Sequence, residues 1–410
     1  MHVQRVDLFD SPLHLQLRTR NVTVGRNARD RGPHRASADA RDQRNKRSHL
    51  PNRGHTSRLS RSSDRLQSSR SFGRARQGLL RRAPRLEPSK NDSFSQGALV
   101  VSQQKVPRRT WGKTGLSIPV IPFGTQGFGD KFGPVTEDEA CDLIRHAVDR
   151  GVNHFDCARC YGNSIHKLGV AIKQGVVRRD EVIISARVCC HSAAEWGGYG
   201  EGRADYSKDR VLADLEDQRD ILGIERFDVV FIHDPDEIEP TLESGGTLEG
   251  LEEARSRDWV DFIGFGMKPH DFHLAVIDSG RTDALLTFND FNLLRQTSAE
   301  DLIPAAAEKG LGVINGWSIM RGWLTGTPVE NFIPREKWGE DHHRAEAIRA
   351  WCEERDINLL SLALQFCLRE DRVHGNPIGS LNKAQLDANI EATLTTIDDQ
   401  TLTEFSEARL

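Results

Sequence analysis

The chain has 410 residues, and its 56 Lys+Arg against 60 Asp+Glu form a near balance that conceals two chemically different parts. Residues 1–104 hold 22 basic and 8 acidic side chains, whereas the remainder holds 34 and 52. No stretch approaches the roughly 18 apolar residues of a membrane span, so the composition argues against an integral membrane protein and allows one large barrel or a few average domains.

Residues 1–104 are rich in Arg, Ser, Asn and His and poor in apolar residues, so they bury too little surface to offset chain entropy. We expect a disordered basic extension. Its charge admits an organelle transit peptide, a nucleic-acid or membrane-surface tail, or translated sequence upstream of the true start. Asp7, Asp10, Asp30, Asp39 and Asp42 weigh against a transit peptide, and Phe9, Phe72 and Phe94 are too sparse for a base-stacking platform. Nucleic acid and membrane are therefore not expected partners. All seven cysteines lie in the acidic part, and their odd number does not suggest a disulfide framework. A reducing, cytoplasmic compartment is the expectation.

From Ile118 onward, short β-branched runs alternate with helical patterns. The predicted strands are Ile118–Phe123, Asn153–Asp156, Glu181–Arg187, Phe227–His233, Trp259–Gly264, Ala284–Thr287, Gly312–Asn315 and a short one near His374–Ile378. Apolar residues spaced by three and four predict helices over Thr136–Arg150, Ser207–Leu222, Gly246–Arg257, Ala299–Lys309, Arg344–Glu354 and Ala384–Thr393. Eight strands with intervening helices predict a (β/α)8 TIM barrel over residues 105–410. The rival is an open doubly wound sheet. Its dinucleotide fingerprint is not met, because Gly124-Thr125-Gln126-Gly127-Phe128-Gly129 is not followed at once by a helix.

Asp156, Arg187 and His233 fall at predicted strand ends, which in a closed barrel converge on one mouth. Tyr161 follows Asp156 in the loop "HFDCARCYGNS". Hydride addition to a carbonyl builds negative charge on oxygen, which a phenol of lowered pKa can quench by giving its proton. Arg187 is the candidate cation for lowering that pKa, with Asp156 orienting it and His233 bonding the carbonyl oxygen. Singly, each residue has a bland reading as a cap, a packing ring, an ion pair or a satisfied histidine. Together at consecutive strand ends they point to a catalytic constellation.

These segments resemble aldo-keto reductases over nearly all of residues 108–404. "RTWGKTGLSIPVIPFGT" is similar to that family's opening hairpin and first strand, "HFDCARCYGNS…LG" to its Asp–Tyr motif, "DVVFIHDPD" to its histidine strand and "PIGSLNKAQLDANI" to its adenosine-phosphate clamp. "IHDPD", "GFGM" and "LALQF" together resemble the branch that oxidises aldoses such as galactose or fucose. The resemblance implies an NAD(P)-dependent oxidoreductase acting on a small carbonyl or sugar substrate, as a monomer or small homo-oligomer. It also implies Tyr161 as general acid or base, His233 as orienter of the substrate oxygen and Asp156 as partner to a cation. "VIISARV" places Arg187 where the family has lysine. A guanidinium can hold an ion pair with Asp156 but cannot relay a proton, so the second reading is a nucleotide-binding barrel with little or no turnover.

The implied cofactor positions are Gly124 and Thr125 after the first strand, Gly266 and Met267 after the fifth, Asn315, Trp317, Gly322 and Leu324 after the seventh, and Gly379, Ser380, Gln385 and Asn389 in the clamp. Phe288 stands in place of the family's amide-binding glutamine. Gly379 and Leu381 occupy places where basic side chains often hold a 2′-phosphate, so NAD competes with NADP. A third reading is a metal or redox protein built on Cys157, Cys160, Cys189, Cys190 and His191. Interleaving of the Cys-x-x-Cys with the Asp–Tyr motif argues against a metal, and none is expected. The loops around Trp196, Tyr199 and Tyr206 and around Trp323, Phe332 and Trp338 either cap a substrate or pack among themselves.

Overall fold

The computed structural model describes residues 104–130, 132–189 and 204–410. The expected extension therefore lies, but for Gln104, outside the described residues, as do Cys190, His191, Trp196 and Tyr199.

The described chain begins with an antiparallel hairpin, β1 (Arg108–Thr110) on β2 (Ser117–Pro119), with Arg109 opposite Ile118. Here the prediction of one strand over Ile118–Phe123 is corrected. Pro119 and Pro122 lack amide donors, so the run cannot sustain one ladder. Its first half pairs in the hairpin and only β3 (Phe123–Gly124) enters the barrel.

Seven parallel strands then follow in strict sequence order: β3, β4 (His154–Asp156), β5 (Ile183–Cys189), β6 (Phe227–His233), β7 (Val260–Gly266), β8 (Ala284–Phe288) and β9 (Gly312–Gly316). The eighth segment closes the ring through parallel bridges Ile314↔Gly375 and Phe123↔Ile378. Asn376 N–H donates to Val120 O at 2.9 Å, and Gly124 N–H to Ile378 O at 3.1 Å. Closure excludes the open doubly wound sheet. The architecture is the predicted (β/α)8 barrel, with its last strand reduced to bridges.

The helices form where local chemistry starts and stops them. Before α1 (Glu137–Asp149), the Thr136 hydroxyl accepts from Glu139 N–H while the Glu139 carboxylate accepts from Thr136 N–H, a reciprocal capping box. α2 (Ser164–Lys173) follows the Tyr161 turn, α3 (Lys208–Leu222) starts at a Ser207 cap, and Gly223 ends α3 at a φ of 71°. A short turn of helix, α4 (Glu239–Leu242), precedes α5 (Thr247–Ser256), α6 (His270–Ser279) and α7 (Leu302–Glu308). The last four are α8 (Glu340–Glu353), α9 (Leu359–Leu368), α10 (Lys383–Leu394) and α11 (Asp399–Ala408).

Apolar strand residues such as Phe155, Ile184, Val230, Ile263 and Leu285 bury against these helices. Trp111, fully buried, fills the end of the barrel where the strands begin, its ring 5.2 Å from His154 and 6.1 Å from Phe231. Gly312 is required there, because a Cβ on it would lie 2.4 Å from the indole. With that end sealed, the ionisable strand ends gather at the other.

Candidate active site

The parallel register sets neighbouring strand ends side by side, with Asp156 beside Ser185 and Cys189 beside His233. Side chains two apart in a strand share a face, so Ser185 and Arg187 both point toward Asp156. The Asp156 carboxylate accepts from Ser185 Oγ at 3.0 Å on one oxygen and from Arg187 Nη2 at 2.7 Å on the other. The Arg187 and Asp156 side chains are only 3% and 8% exposed, so the ion pair is buried. Behind it, His154 Nε2 lies 2.9 Å from Ser185 Oγ, and burial lowers its imidazole pKa to about 4, which keeps it neutral. Arg187 Nη1 also donates to Cys157 O at 3.4 Å, Gln218 donates to Arg187 O at 2.9 Å, and Arg187 Nε has no hydrogen-bond partner among the described residues.

Tyr161 is placed by a backbone crossing. Gly129 and Gly162 let the loop after β3 touch the Tyr161 turn, since a Cβ on Gly129 would lie 1.9 Å from Tyr161 O and one on Gly162 2.1 Å from Gly129 O. Gly162 also adopts a φ of 61°, which favours glycine. Buried Lys167 fastens the crossing, donating to Phe128 O at 2.8 Å and to Asp130 Oδ1 at 2.6 Å, while Asn163 bonds the other Asp130 oxygen at 3.0 Å. The half-buried Tyr161 ring stands edge-on to His233 with centroids 6.2 Å apart, and the Arg187 guanidinium carbon lies 5.3 Å from its centroid. The four predicted catalytic residues are thus brought together.

Their electrostatics differ from the expectation. Burial pushes the Tyr161 phenol well above its ordinary value, and the opposing pull of Arg187 does not reverse this. The physical reason is that Asp156 already neutralises the guanidinium and itself disfavours a phenolate. Around His233, burial disfavours the imidazolium, but Cys160 and Asp234 outweigh it and raise the pKa. His233 Nδ1 lies 3.6 Å from Cys160 Sγ and Nε2 lies 3.3 Å from Asp234 Oδ2, so protein groups engage both ring nitrogens.

The expected cofactor positions divide. Gly124, Gly379 and Ser380 meet where the first and eighth segments cross, with a Gly379 Cβ only 3.1 Å from Gly124 O. Thr125 Oγ1 donates to Asp156 O at 3.0 Å. At the start of α10, Asn389 Nδ2 donates to Ser380 Oγ at 3.1 Å, and Gln385 Oε1 accepts from Leu381 N–H at 2.8 Å. After β9, Trp317, Met320 and Arg321 all have positive φ (64°, 48° and 55°), strained for bulky side chains and of the kind that clusters at ligand sites. The exposed Arg321 guanidinium stacks 4.1 Å from the Trp317 ring, whose other neighbour is Phe288 at 5.5 Å. Gly322 has a φ of 104°, and a Cβ there would sit 3.0 Å from the Phe332 ring.

Three of the expected positions have fully buried side chains. The Met267 side chain is fully buried in the core, its N–H bonded to Leu286 O and its carbonyl to His273. Leu324 is equally buried in the cluster beneath α8 and α9. Asn315 is also fully buried, and its amide links Phe291 O and Asn376 Oδ1, both at 2.8 Å, to hold the closing segment. Gly266 sits in the same strand end as Met267, paired with His233 and accepting from Asp234 N–H at 2.8 Å. Trp323 stacks on His342 at 4.1 Å and Trp338 Nε1 donates to Ile333 O, so that aromatic loop packs on itself. Tyr206 OH is likewise engaged, by Glu237 N–H. Among the described residues no three His, Cys, Asp or Glu side chains are grouped as metal ligands.

Sequence reasoning missed Ser185, Gln218, Asp130 and Lys167. Ser185 carried a usable signal, two residues before Arg187 on one strand face. The other three bond only across the fold.

The aldo/keto reductase family model matches residues 120–409. L-galactose dehydrogenase of Arabidopsis thaliana is 27% identical over 309 residues, covering 73% of this chain and 93% of its own. D-threo-aldose 1-dehydrogenase of a Pseudomonas species is 25% identical over 326 residues, covering 72% and 95%. Among solved structures, an aldo-keto reductase of Bacillus halodurans in its holo form superposes with a TM-score of 0.62 at 21% identity, covering 74% of this chain and 96% of its own, and supports the fold. On this match, over most of its length, the chain belongs to the aldo/keto reductase family of oxidoreductases.

Proposed function

We propose that the mouth of this barrel transfers hydride between a nicotinamide dinucleotide, NAD or NADP, and the carbonyl or alcohol carbon of a small substrate, with an aldose the favoured class. The convergence of Tyr161, Asp156, Arg187 and His233 on one buried cluster carries the reading. The names of the two dehydrogenase relatives support the aldose class.

The chain's own residues fit a dinucleotide at one flank of the mouth. In the strained loop after β9, Ser318 Oγ is a buried donor with no partner among the described residues, suited to a phosphate oxygen. Trp317 offers an aromatic face, and Gly379, Ser380 and Gln385 border the start of α10, where helix-end amides favour anions. When bound, the nicotinamide supplies or accepts the hydride.

Tyr161 gives its hydroxyl proton to the substrate oxygen in reduction and receives one in oxidation. Burial keeps this phenol protonated and makes it a weaker acid than a free tyrosine. Arg187, fixed by Asp156, stabilises negative charge at the phenol and substrate oxygens without moving a proton. His233 stands edge-on to the Tyr161 ring and orients that oxygen once one nitrogen leaves its protein partner. The raised phenol and the engaged imidazole favour the second reading, a barrel that binds nucleotide with little turnover.

Absorbance near 340 nm distinguishes the two, with NAD plus a panel of aldoses and NADPH plus simple aldehydes. Turnover that disappears in Tyr161→Phe supports hydride transfer, and dinucleotide binding without turnover selects the second reading. Arg187→Lys is expected to raise kcat about tenfold by restoring a compact ammonium beside the phenol. A variant no faster than the parent would show that Arg187 is not the limiting departure.

A further inference from the structure

The loop "DCARCYGNS" and the strand "FIHDPD" place a thiol, an imidazole and a carboxylate in line. Cys160 Sγ lies 3.6 Å from His233 Nδ1, and His233 Nε2 lies 3.3 Å from Asp234 Oδ2. This is the order of nucleophile, base and orienting acid. Asp234 is held behind the ring by a positive φ of 41° and by its N–H donating to Gly266 O at 2.8 Å. The Tyr161 ring packs against Cys160, and the Arg187 guanidinium carbon lies 5.3 Å from that ring, its buried Nε with no hydrogen-bond partner among the described residues, so a phenol and a cation are at hand for a developing oxyanion. Among the described residues, the charged and titratable groups near the pair include Asp156, Cys157, Tyr161, Arg187 and Asp234. Arg187 favours a thiolate, and Asp234 favours the imidazolium that would receive its proton. Cys157 differs, because burial and Asp156 push its thiol up to about 12.

We propose that Cys160 is a nucleophilic thiol, with His233 as its proton acceptor and Asp234 as orienter, and that its ligand is a small aldehyde held reversibly as a hemithioacetal at the barrel mouth. In the addition the Sγ–C bond forms and the carbonyl π bond breaks. The thiol proton passes through His233 to the former carbonyl oxygen, which Tyr161 and Arg187 stabilise. No oxidant or reductant is consumed. Cys160 is 1% exposed, so a reagent reaches its thiol only through local opening of the mouth.

The inference rests on the reading of this mouth as a carbonyl site, but its test needs no nicotinamide, so loss of either reading is visible separately. Full-length protein is treated with iodoacetamide between pH 6 and 8.5 and the labelled cysteines are quantified by peptide mass spectrometry. At pH 6 Cys160 is expected to react at least about tenfold faster than in His233→Gln and about threefold faster than in Asp234→Asn, with a rate nearly independent of pH in the parent and rising with pH in both variants. Glyceraldehyde slows the labelling of Cys160 and glycerol does not. Circular dichroism checks that the variants fold, and Asp234→Asn carries the comparison where His233→Gln does not. Equal rates in parent and variants at pH 6, no labelling of Cys160 at any pH, or equal effects of glyceraldehyde and glycerol would each overturn the proposal. Protection by aldehyde, together with no turnover in the separate 340 nm assay with added NAD or NADPH, would keep the thiol site and remove the hydride reading.

Discussion

Replacing Asp156 by Asn leaves the shape of the cluster and removes its one negative charge in contact with Arg187. Both side chains lie under a tenth exposed and the contact is 2.7 Å, so water cannot replace the lost partner. An uncompensated buried charge costs about 3–5 kcal/mol, and Asp156→Asn is expected to destabilise the barrel by that amount. Arg187→Met, which strands the carboxylate instead, is expected to cost a similar amount. The double variant removes both charges and fills the volume with an apolar chain, so it should return to within about 1–2 kcal/mol of the parent. A coupling of about 3 kcal/mol or more follows from these three values. Urea unfolding followed by tryptophan fluorescence measures them, since Trp111 is buried in the barrel itself. Strict additivity within about 0.5 kcal/mol, or a single-variant cost below about 1 kcal/mol, would refute the claim that this pair acts as one buried unit.

Gly129→Ala should displace the Tyr161 peptide, because the new Cβ would stand 1.9 Å from its carbonyl oxygen; a loss of roughly 1–3 kcal/mol from forced overpacking is expected in thermal unfolding, together with loss of turnover. His270 is held by Asp301 at 2.9 Å and Asp290 at 3.3 Å, and although burial opposes its charge, both carboxylates raise its pKa. Its contribution is therefore full below the unfolded value of about 6.5 and lost as pH rises through the folded value. The Tm difference between the parent and His270→Gln should shrink from pH 5.5 to 8.5, and a difference that grows would contradict the sign. Because Gly379 and Leu381 offer no positive charge, the ratio of NADH to NADPH dissociation constants is expected to stay below about a hundredfold. Titration calorimetry measures it, and a larger NADPH preference would point to a 2′-phosphate partner elsewhere.

Local patterning made most of the fold legible. β-branched runs, three- and four-residue spacings and caps such as Thr136 and Ser207 are encoded within a dozen residues. The split of Ile118–Phe123 was also local in cause, since Pro119 and Pro122 remove donors, but choosing which half enters the barrel required knowing what each half pairs with. Closure lay beyond periodicity altogether, because His374–Ile378 is nearly ladder-free alone and becomes a barrel element only between β9 and β3.

For the site, the sequence by itself determined which ionisable groups end consecutive strands, Asp156, Arg187 and His233 with Tyr161 just beyond, because strand period and βα order send such residues to one mouth. Tertiary structure alone decided their state. Burial, a property of the whole fold, raises the Tyr161 phenol against the pull of Arg187, a cation already paired with Asp156. The same holds for Met267, Leu324 and Asn315, whose motif positions suggested ligand contact and whose side chains the packing buries. The Cys160–His233–Asp234 alignment likewise exists only where two loops distant in sequence are brought within hydrogen-bonding distance by the closed barrel.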